Sequence, residues 1–305
     1  YFVTVTNITG MATSSVARVV VTPCFYSVEN LGVLKSGTVN SSWPSEAVDI
    51  NNVGEVVGWS VTDEIRLGSE VKHGFVWVAG HMADLGDGRD VVNVSATNRL
   101  PGSSYAYSIN DHFDIAGTYE YRVNPSLDGY GHATLWRQVN CGGPGGIAGH
   151  CPLEMVDVHP RNIFPPDTAS VSINNRRQML LQGGQSWVLQ HYGYLLTLSD
   201  PGNRFSVYET QALGVSGGYI VPNKLNDGGL VVGRYLEYIG GDIPYLYDGT
   251  PHVGPDATTN LYWGEFRSVN DAGVIAGIQR QTVQGWNVRR PFLLYPNGPF
   301  TWLTN

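Results

Sequence analysis

The residues of this chain best suited to chemistry are two glutamates, Glu46 and Glu265, with Arg267 beside the second. Each opens a strand in a repeated unit, the first and the last copy, and those copies become neighbours if the repeats close into a ring. Two carboxylates near the axis of such a ring could act as acid and base on a glycosidic bond. Arg267 would either lower a carboxylate's pKa or simply pair with it. Aromatic rings surround them in the sequence: Trp43, Tyr105, Tyr219, Tyr262 and Trp263 in the segments that enter the strands, and Trp286 in a later loop. Rings beside acids suit a sugar, whose C–H faces stack on them while its hydroxyls bond carboxylates. The same rings would also serve to fill gaps between sheets. No Gly-x-Ser-x-Gly elbow or phosphate-cradling glycine loop occurs, and His73 and His132 fall in a repeated strand motif that reads as structural.

The element that must position these groups is Ala47-Val-Asp-Ile-Asn51-Asn-Val-Gly-Glu-Val-Val-Gly58-Trp59, a strand, a tight turn and a returning strand. The phrase recurs around Asn110, Asn174, Asn226 and Asn270. In each, the Asn ends the first strand, and its amide can accept a hydrogen bond from the backbone N–H two residues on. Gly54, Gly229 and Gly273 supply the positive φ such a turn needs. Phe113 and Arg177 stand at that position in the second and third copies, which predicts looser turns or another turn type there. A second glycine (Gly58, Gly117, Gly233, Gly277) falls inside the returning strand and predicts a bulge or a close backbone approach; Leu181 replaces it in the third copy. The Asn-Asp-x-Gly wording is tempting as a calcium loop, but the full ligand spacing is absent, so turn chemistry and no metal is the reading.

Composition bounds the rest. The 305 residues include 38 Gly and 17 Pro but only 14% charged residues, and the strand and turn types dominate. One large all-β domain fits. The net charge of −8, without a basic run, argues against nucleic acid, and no apolar run reaches membrane-spanning length. No motif calls for a cofactor. Cys141 and Cys151 bracket a glycine-rich loop that a disulfide would close, which leaves Cys24 as the odd thiol.

The order of the first copy, 47–58, then His73-Gly-Phe-Val-Trp77, then Met82-Ala-Asp84-Leu-Gly86, resembles the HAF repeat of bacterial extracellular proteins. The second copy keeps His132-Ala-Thr-Leu-Trp136; the later ones degrade to Ser186-Trp-Val-Leu189, Pro244-Tyr-Leu-Tyr247 and Pro291-Phe-Leu-Leu-Tyr295. The resemblance covers roughly 25–305 and implies a β-propeller and a secreted or cell-surface location, with no catalytic motif. Four strands per copy and a spacing of about 55 residues predict a five-bladed β-propeller over 24–305. The Leu-Gly segment at 31–35 is placed to pair with the final blade and close the ring. Residues 1–23 resemble the last hairpin of a bacterial Ig-like domain. An isolated hairpin is marginal, so these strands are expected to pack on other sequence or complement another sheet. The chain therefore reads as a non-enzymatic extracellular structural or binding module, with itself or a surface glycan as partner. A lectin, or a glycosidase or polysaccharide lyase using Glu46 and Glu265, are the alternatives.

Overall fold

The computed structural model describes residues 4–7, 10–13, 28–36, 44–66, 68–87, 91–92, 100–122, 130–139, 147, 149–158, 167–185, 190–198, 208–214, 218–237, 242–253, 264–283, 286–296 and 300–303. The regular elements among the described residues are all strands, in two compact units, Tyr1–Asn30 and Leu31–Asn305. The first unit contains β1 (Thr4–Asn7) and β2 (Gly10–Thr13), an antiparallel hairpin with Asn7 opposite Gly10.

The second unit is five antiparallel sheets, each folded as a meander from an inner strand outward. The first blade is β3 (Ser45–Ile50), β4 (Val56–Arg66), β5 (Ser69–Val78) and β6 (His81–Asp84). The second adds a short strand, β7 (Val91–Val92), which runs parallel to the outer strand of β8 (Leu100–Ile109), β9 (Ile115–Arg122), β10 (Tyr130–Gln138) and β11 (Leu153–Asp157). The third is β12 (Thr168–Ile173), β13 (Gln178–Gln185), β14 (Gln190–Leu198) and β15 (Tyr208–Ala212). The fourth is β16 (Gly218–Leu225), β17 (Val231–Glu237), β18 (Asp242–Tyr247) and β19 (Pro251–Val253), and the fifth β20 (Gly264–Val269), β21 (Ile275–Val283), β22 (Trp286–Leu294) and β23 (Phe300–Trp302).

All five turns are built alike. The backbone N–H three residues after each Asn bonds back to its carbonyl, at 2.9–3.2 Å. The Asn Oδ1 accepts the N–H four residues on, from Glu55, Asp114, Gln178, Leu230 and Val274, at 2.8–2.9 Å. Phe113 and Arg177 adopt the same left-handed conformation (φ 64 and 58) as Gly54, Gly229 and Gly273. The looser turns expected in the second and third copies are therefore not found. Burial of Phe113, stacked on His150 at 3.7 Å, and the Arg177–Asp114 ion pair at 3.0 Å offset the strain of a side chain there.

The turns are also bonded to one another. The Asn51 Nδ2 donates to the Asn110 carbonyl at 3.1 Å, Asn110 to Asn174, Asn174 to Asn226 and Asn226 to Asn270, each at 3.0 Å. A second row runs beside it: the Asn52 N–H bonds the Asp111 carboxylate, Asp111 the Asn175 amide, Asn175 the Asp227 carboxylate and Asp227 the Asp271 carboxylate. The repeated Asn thus serves its own turn through oxygen and the next blade through nitrogen.

Each inner strand is bulged two or three residues before the Asn, as the register shifts at Ala47/Asp49, Ala106/Ser108, Ser170/Ser172, Pro222/Lys224 and Phe266/Ser268 show. The bulge presses a carbonyl against the glycine of the returning strand. A Cβ at Gly58, Gly117, Gly233 or Gly277 would overlap or crowd the carbonyl oxygen of Glu46, Tyr105, Val221 or Glu265. In the third copy Leu181 is instead fully buried between blades.

Cores lie between blades rather than within them. Alternate residues of one strand serve opposite neighbours: Ile115 packs towards the first blade and Ala116 towards the third, Val231 towards the third and Val232 towards the fifth. That is why these strands read as continuous apolar runs. Four such cores join the five blades in sequence. Among the described residues, β3 is exposed along its length except at the half-buried Asp49, with Ile50 at 62% and Val53 beyond it at 69%. Leu31–Lys35 forms no strand of the final blade, contrary to the sequence expectation. Its backbone and side chains bond the first blade, Leu34 N–H to Ser60 Oγ at 2.9 Å and Lys35 to Glu70 at 2.8 Å. The final blade takes its fourth strand, β23, from the residues that follow β22.

Trp136 fills the core between the first two blades at 1% exposure and donates its Nε1–H to the Leu85 carbonyl at 2.9 Å. Trp136→Phe keeps most of the apolar volume but leaves that carbonyl unpartnered. Urea denaturation is expected to show a loss of about 2 kcal/mol with an unchanged m-value.

Candidate functional site

Where the first two blades meet, the strands leading into and out of their Asn turns bring together Glu46, Trp59, Lys72, Tyr105 and Tyr107. Glu46 and Trp59 face each other across β3 and β4, and the indole Nε1–H bonds the Glu46 carboxylate at 3.1 Å. Tyr105 meets the Trp59 ring edge-on, centroids 6.0 Å apart. Tyr105 and Tyr107, two residues apart on one strand, lie nearly parallel at 6.1 Å. The Lys72 ammonium sits over the Trp59 ring at 4.3 Å, which fixes that ring as a shelf edge.

The shelf is partly open: Trp59, Tyr105 and Tyr107 are half-buried and Glu46 is exposed. Burial raises the Tyr105 phenol's pKa, and the neighbouring Glu120 carboxylate raises it further. Tyr107 is raised in the same way, by burial first and then by Tyr105, Glu120 and Glu46. Both phenols therefore stay neutral hydroxyls, able to donate as well as accept. Flat rings, hydroxyl donors and carboxylate acceptors within one seam are what a sugar ring requires.

The two glutamates singled out in the sequence are each engaged separately. Glu46 holds Trp59, while Glu265 is buried (3% exposed) between Arg267 at 2.6 Å and Arg234 at 3.6 Å. Arg234 also meets Asp242 at 3.6 Å, and Arg280 meets Asp242 at 2.7 Å, so Glu265 belongs to an ionic network across the last two blades. Arg267 pairs with its neighbour, one of the two roles expected of it. No hydrogen bond or ion pair among the described residues joins Glu46 to Glu265.

Of the aromatic candidates, Tyr105 is on the shelf. Tyr219 lies at the seam of the third and fourth blades, edge-on to Tyr192 at 6.5 Å, so the two are not brought together. Trp43, Tyr262 and Trp263 lie outside the described residues, and Trp286 opens strand β22 rather than standing in a loop. Trp59, Lys72 and Tyr107 were not singled out by sequence reasoning. The signal available was pairing: Trp59 lies one residue after Gly58, the repeated glycine of β4, which sets it opposite Glu46.

The repeated histidines are structural partners of the aspartate in the outer strand. His73 Nδ1 lies 2.9 Å from the Asp84 carboxylate, and His132 Nδ1 lies 2.9 Å from Asp157. Burial alone would lower the His73 pKa, but Asp84 and Asp87 outweigh it and raise it to about 9. Where the turns meet, all five repeats line a polar cavity of about 170 Å³, in which Lys224 of the fourth blade reaches Asp49 of the first at 3.3 Å. Ser108 Oγ and the Ile109 N–H also bond Asp49, which makes it a strut of the turn end. Cys151 is held in a disulfide; Cys141 and Cys24 lie outside the described residues.

No family model and no curated protein matches the sequence. Among solved structures, the chain is similar to the uncomplexed acylaminoacyl peptidase of Pyrococcus horikoshii, with a TM-score of 0.26 and 8% identity over 86% of this chain. It spans about half, 52%, of that peptidase chain. That likeness is too distant to carry fold or activity across. What the geometry itself offers is a set of tightly bonded repeats with an aromatic, acid-rimmed shelf between the first two blades.

Proposed function

We propose that this chain is a non-enzymatic binding module of HAF-repeat type, working outside the cell, and that it takes a sugar ring on the Trp59–Tyr105–Tyr107 shelf. The observation that carries the reading is the shelf itself: three half-buried rings edged by the exposed Glu46 and by Lys72. The disulfide at Cys151 supports an oxidising location. Two-carboxylate hydrolysis is the weaker reading, because Glu265 is neutralised by two guanidinium groups and Glu46 is bonded to an indole.

The test is a glycan array followed by calorimetry on the best binder. Tyr105→Ala is expected to weaken binding at least about tenfold while leaving the melting temperature within a few degrees. A chain that binds no glycan, or a variant that binds equally well, would refute the assignment.

Self-assembly stands as a second reading on one observation. Among the described residues the hairpin β1–β2 forms a two-stranded sheet, and each such strand has an edge able to pair with another chain. Polymers that dissolve when residues 1–23 are deleted, seen by light scattering, would support it; a monomeric full-length chain would sink it.

A further inference from the structure

Beyond the shelf, on the outer part of the first blade, three metal-ligating side chains converge. Glu64, His73 and Asp87 place their ligand atoms within 4.8 Å of one another. The local sequence builds this convergence. Between Val61 and Ile65 the register of β4 against β5 shifts, and Thr62 Oγ1 ties the looped strand by bonding the Val71 carbonyl at 3.1 Å and accepting the Glu64 N–H at 3.2 Å. That irregularity re-aims Glu64. On the other side, the Asp84 carboxylate accepts the Gly86 N–H at 2.8 Å, and Gly86 takes a positive φ of 76, so the chain turns and returns Asp87 to the histidine.

His73 is the observation that points to a ligand. It is 7% exposed, and its Nδ1 is bonded to Asp84 at 2.9 Å. Its Nε2 is buried, has no hydrogen-bond partner and lies 3.7 Å from Asp87 Oδ2. A carboxylate on one ring nitrogen, with the other facing two further carboxylates, is the arrangement that orients a histidine towards a transition metal. Arg66 shows that the position already attracts a cation. Its Nη2 lies 2.6 Å from both Glu64 Oε1 and Asp87 Oδ2.

We propose that Glu64, His73 Nε2 and Asp87 form a binding site for a divalent transition-metal ion such as Zn²⁺, which displaces the Arg66 guanidinium. One nitrogen and two carboxylate oxygens suit Zn²⁺ or Co²⁺ and leave a coordination position for water. The ion would tie the outer strands of this blade together, independently of the sugar shelf. Arg66, with 22% of its side chain exposed, swings to solvent when the ion enters.

The experiment is metal titration of the purified chain. Zn²⁺ uptake is read by elemental analysis and calorimetry, and Co²⁺ uptake by its visible absorption. One ion per chain is expected. Glu64→Gln, a half-exposed change that leaves the fold intact by circular dichroism, should weaken binding at least about tenfold. Arg66→Ala should tighten it by about tenfold, since it removes a competing like charge. No uptake by the wild type or by Arg66→Ala would overturn the proposal. Uptake that neither substitution changes would overturn it too, because the ion would then sit elsewhere.

Discussion

Gly117→Ala is expected to cost about 4 kcal/mol or to prevent folding altogether. The new Cβ would overlap the Tyr105 carbonyl oxygen and stand 2.8 Å from the Trp136 ring. Neither neighbour can yield. Tyr105 O lies in the bulged stretch of β8, and Trp136 is buried and bonded to Leu85. The control is Gly214→Ala, where a Cβ meets nothing within 4 Å and φ is ordinary; it should be neutral or slightly stabilising. Thermal and urea denaturation of the two variants side by side would decide the matter. If they prove equally stable, the bulge does not hold the inner strand against its neighbour.

Asn174→Ala should cost about 3 kcal/mol. Its Oδ1 accepts the Arg176 and Gln178 N–H groups at 3.1 and 2.8 Å, and its Nδ2 donates to Gln178 Oε1 at 2.9 Å and to the Asn226 carbonyl at 3.0 Å. At 3% exposure, water does not replace those partners. Asn174→Asp is expected to be as damaging, because a carboxylate would then face the Asn226 carbonyl with no proton to share. Asn270→Ala is expected to cost only about 1 kcal/mol. Asn270 is exposed, and its side chain accepts the Val274 N–H at 2.9 Å. The measurement is the denaturation midpoint of each variant. Equal losses at Asn174 and Asn270 would contradict the inter-blade role of the Nδ2 group.

Much of the architecture was legible because it repeats. The Asn phrase located every inner strand, and the second glycine marked every bulge but that of the third copy. The errors came from reading one position by its residue alone. Phe113 and Arg177 looked incompatible with a positive φ, yet packing on His150 and an ion pair with Asp114 hold them there. The Leu31–Lys35 segment was read by analogy with a repeat end, whereas its bonds run to Ser60 and Glu70.

The site was less legible because it is made across strands and blades. Tyr105 is visible as an aromatic residue, but its partners Trp59 and Lys72 come from β4 and β5 and are set by register. Glu46 and Glu265 occupy equivalent positions, yet the neighbours differ: an indole for one, two guanidinium groups for the other. Equivalence in a repeat fixes where a side chain starts and not what it meets.

The most direct measurement is hydrogen–deuterium exchange of the intact chain, with and without the oligosaccharide that binds best on the array. The amides that donate to the Asn oxygens, among them Glu55, Asp114 and Gln178, should exchange slowly in both states. Added protection should appear in peptides covering 45–50, 56–62 and 100–109, the strands that carry the shelf. Protection gained instead at the turns, or fast exchange of the turn amides in the unliganded chain, would contradict the division of labour between locked Asn turns and a recognising shelf on the strands.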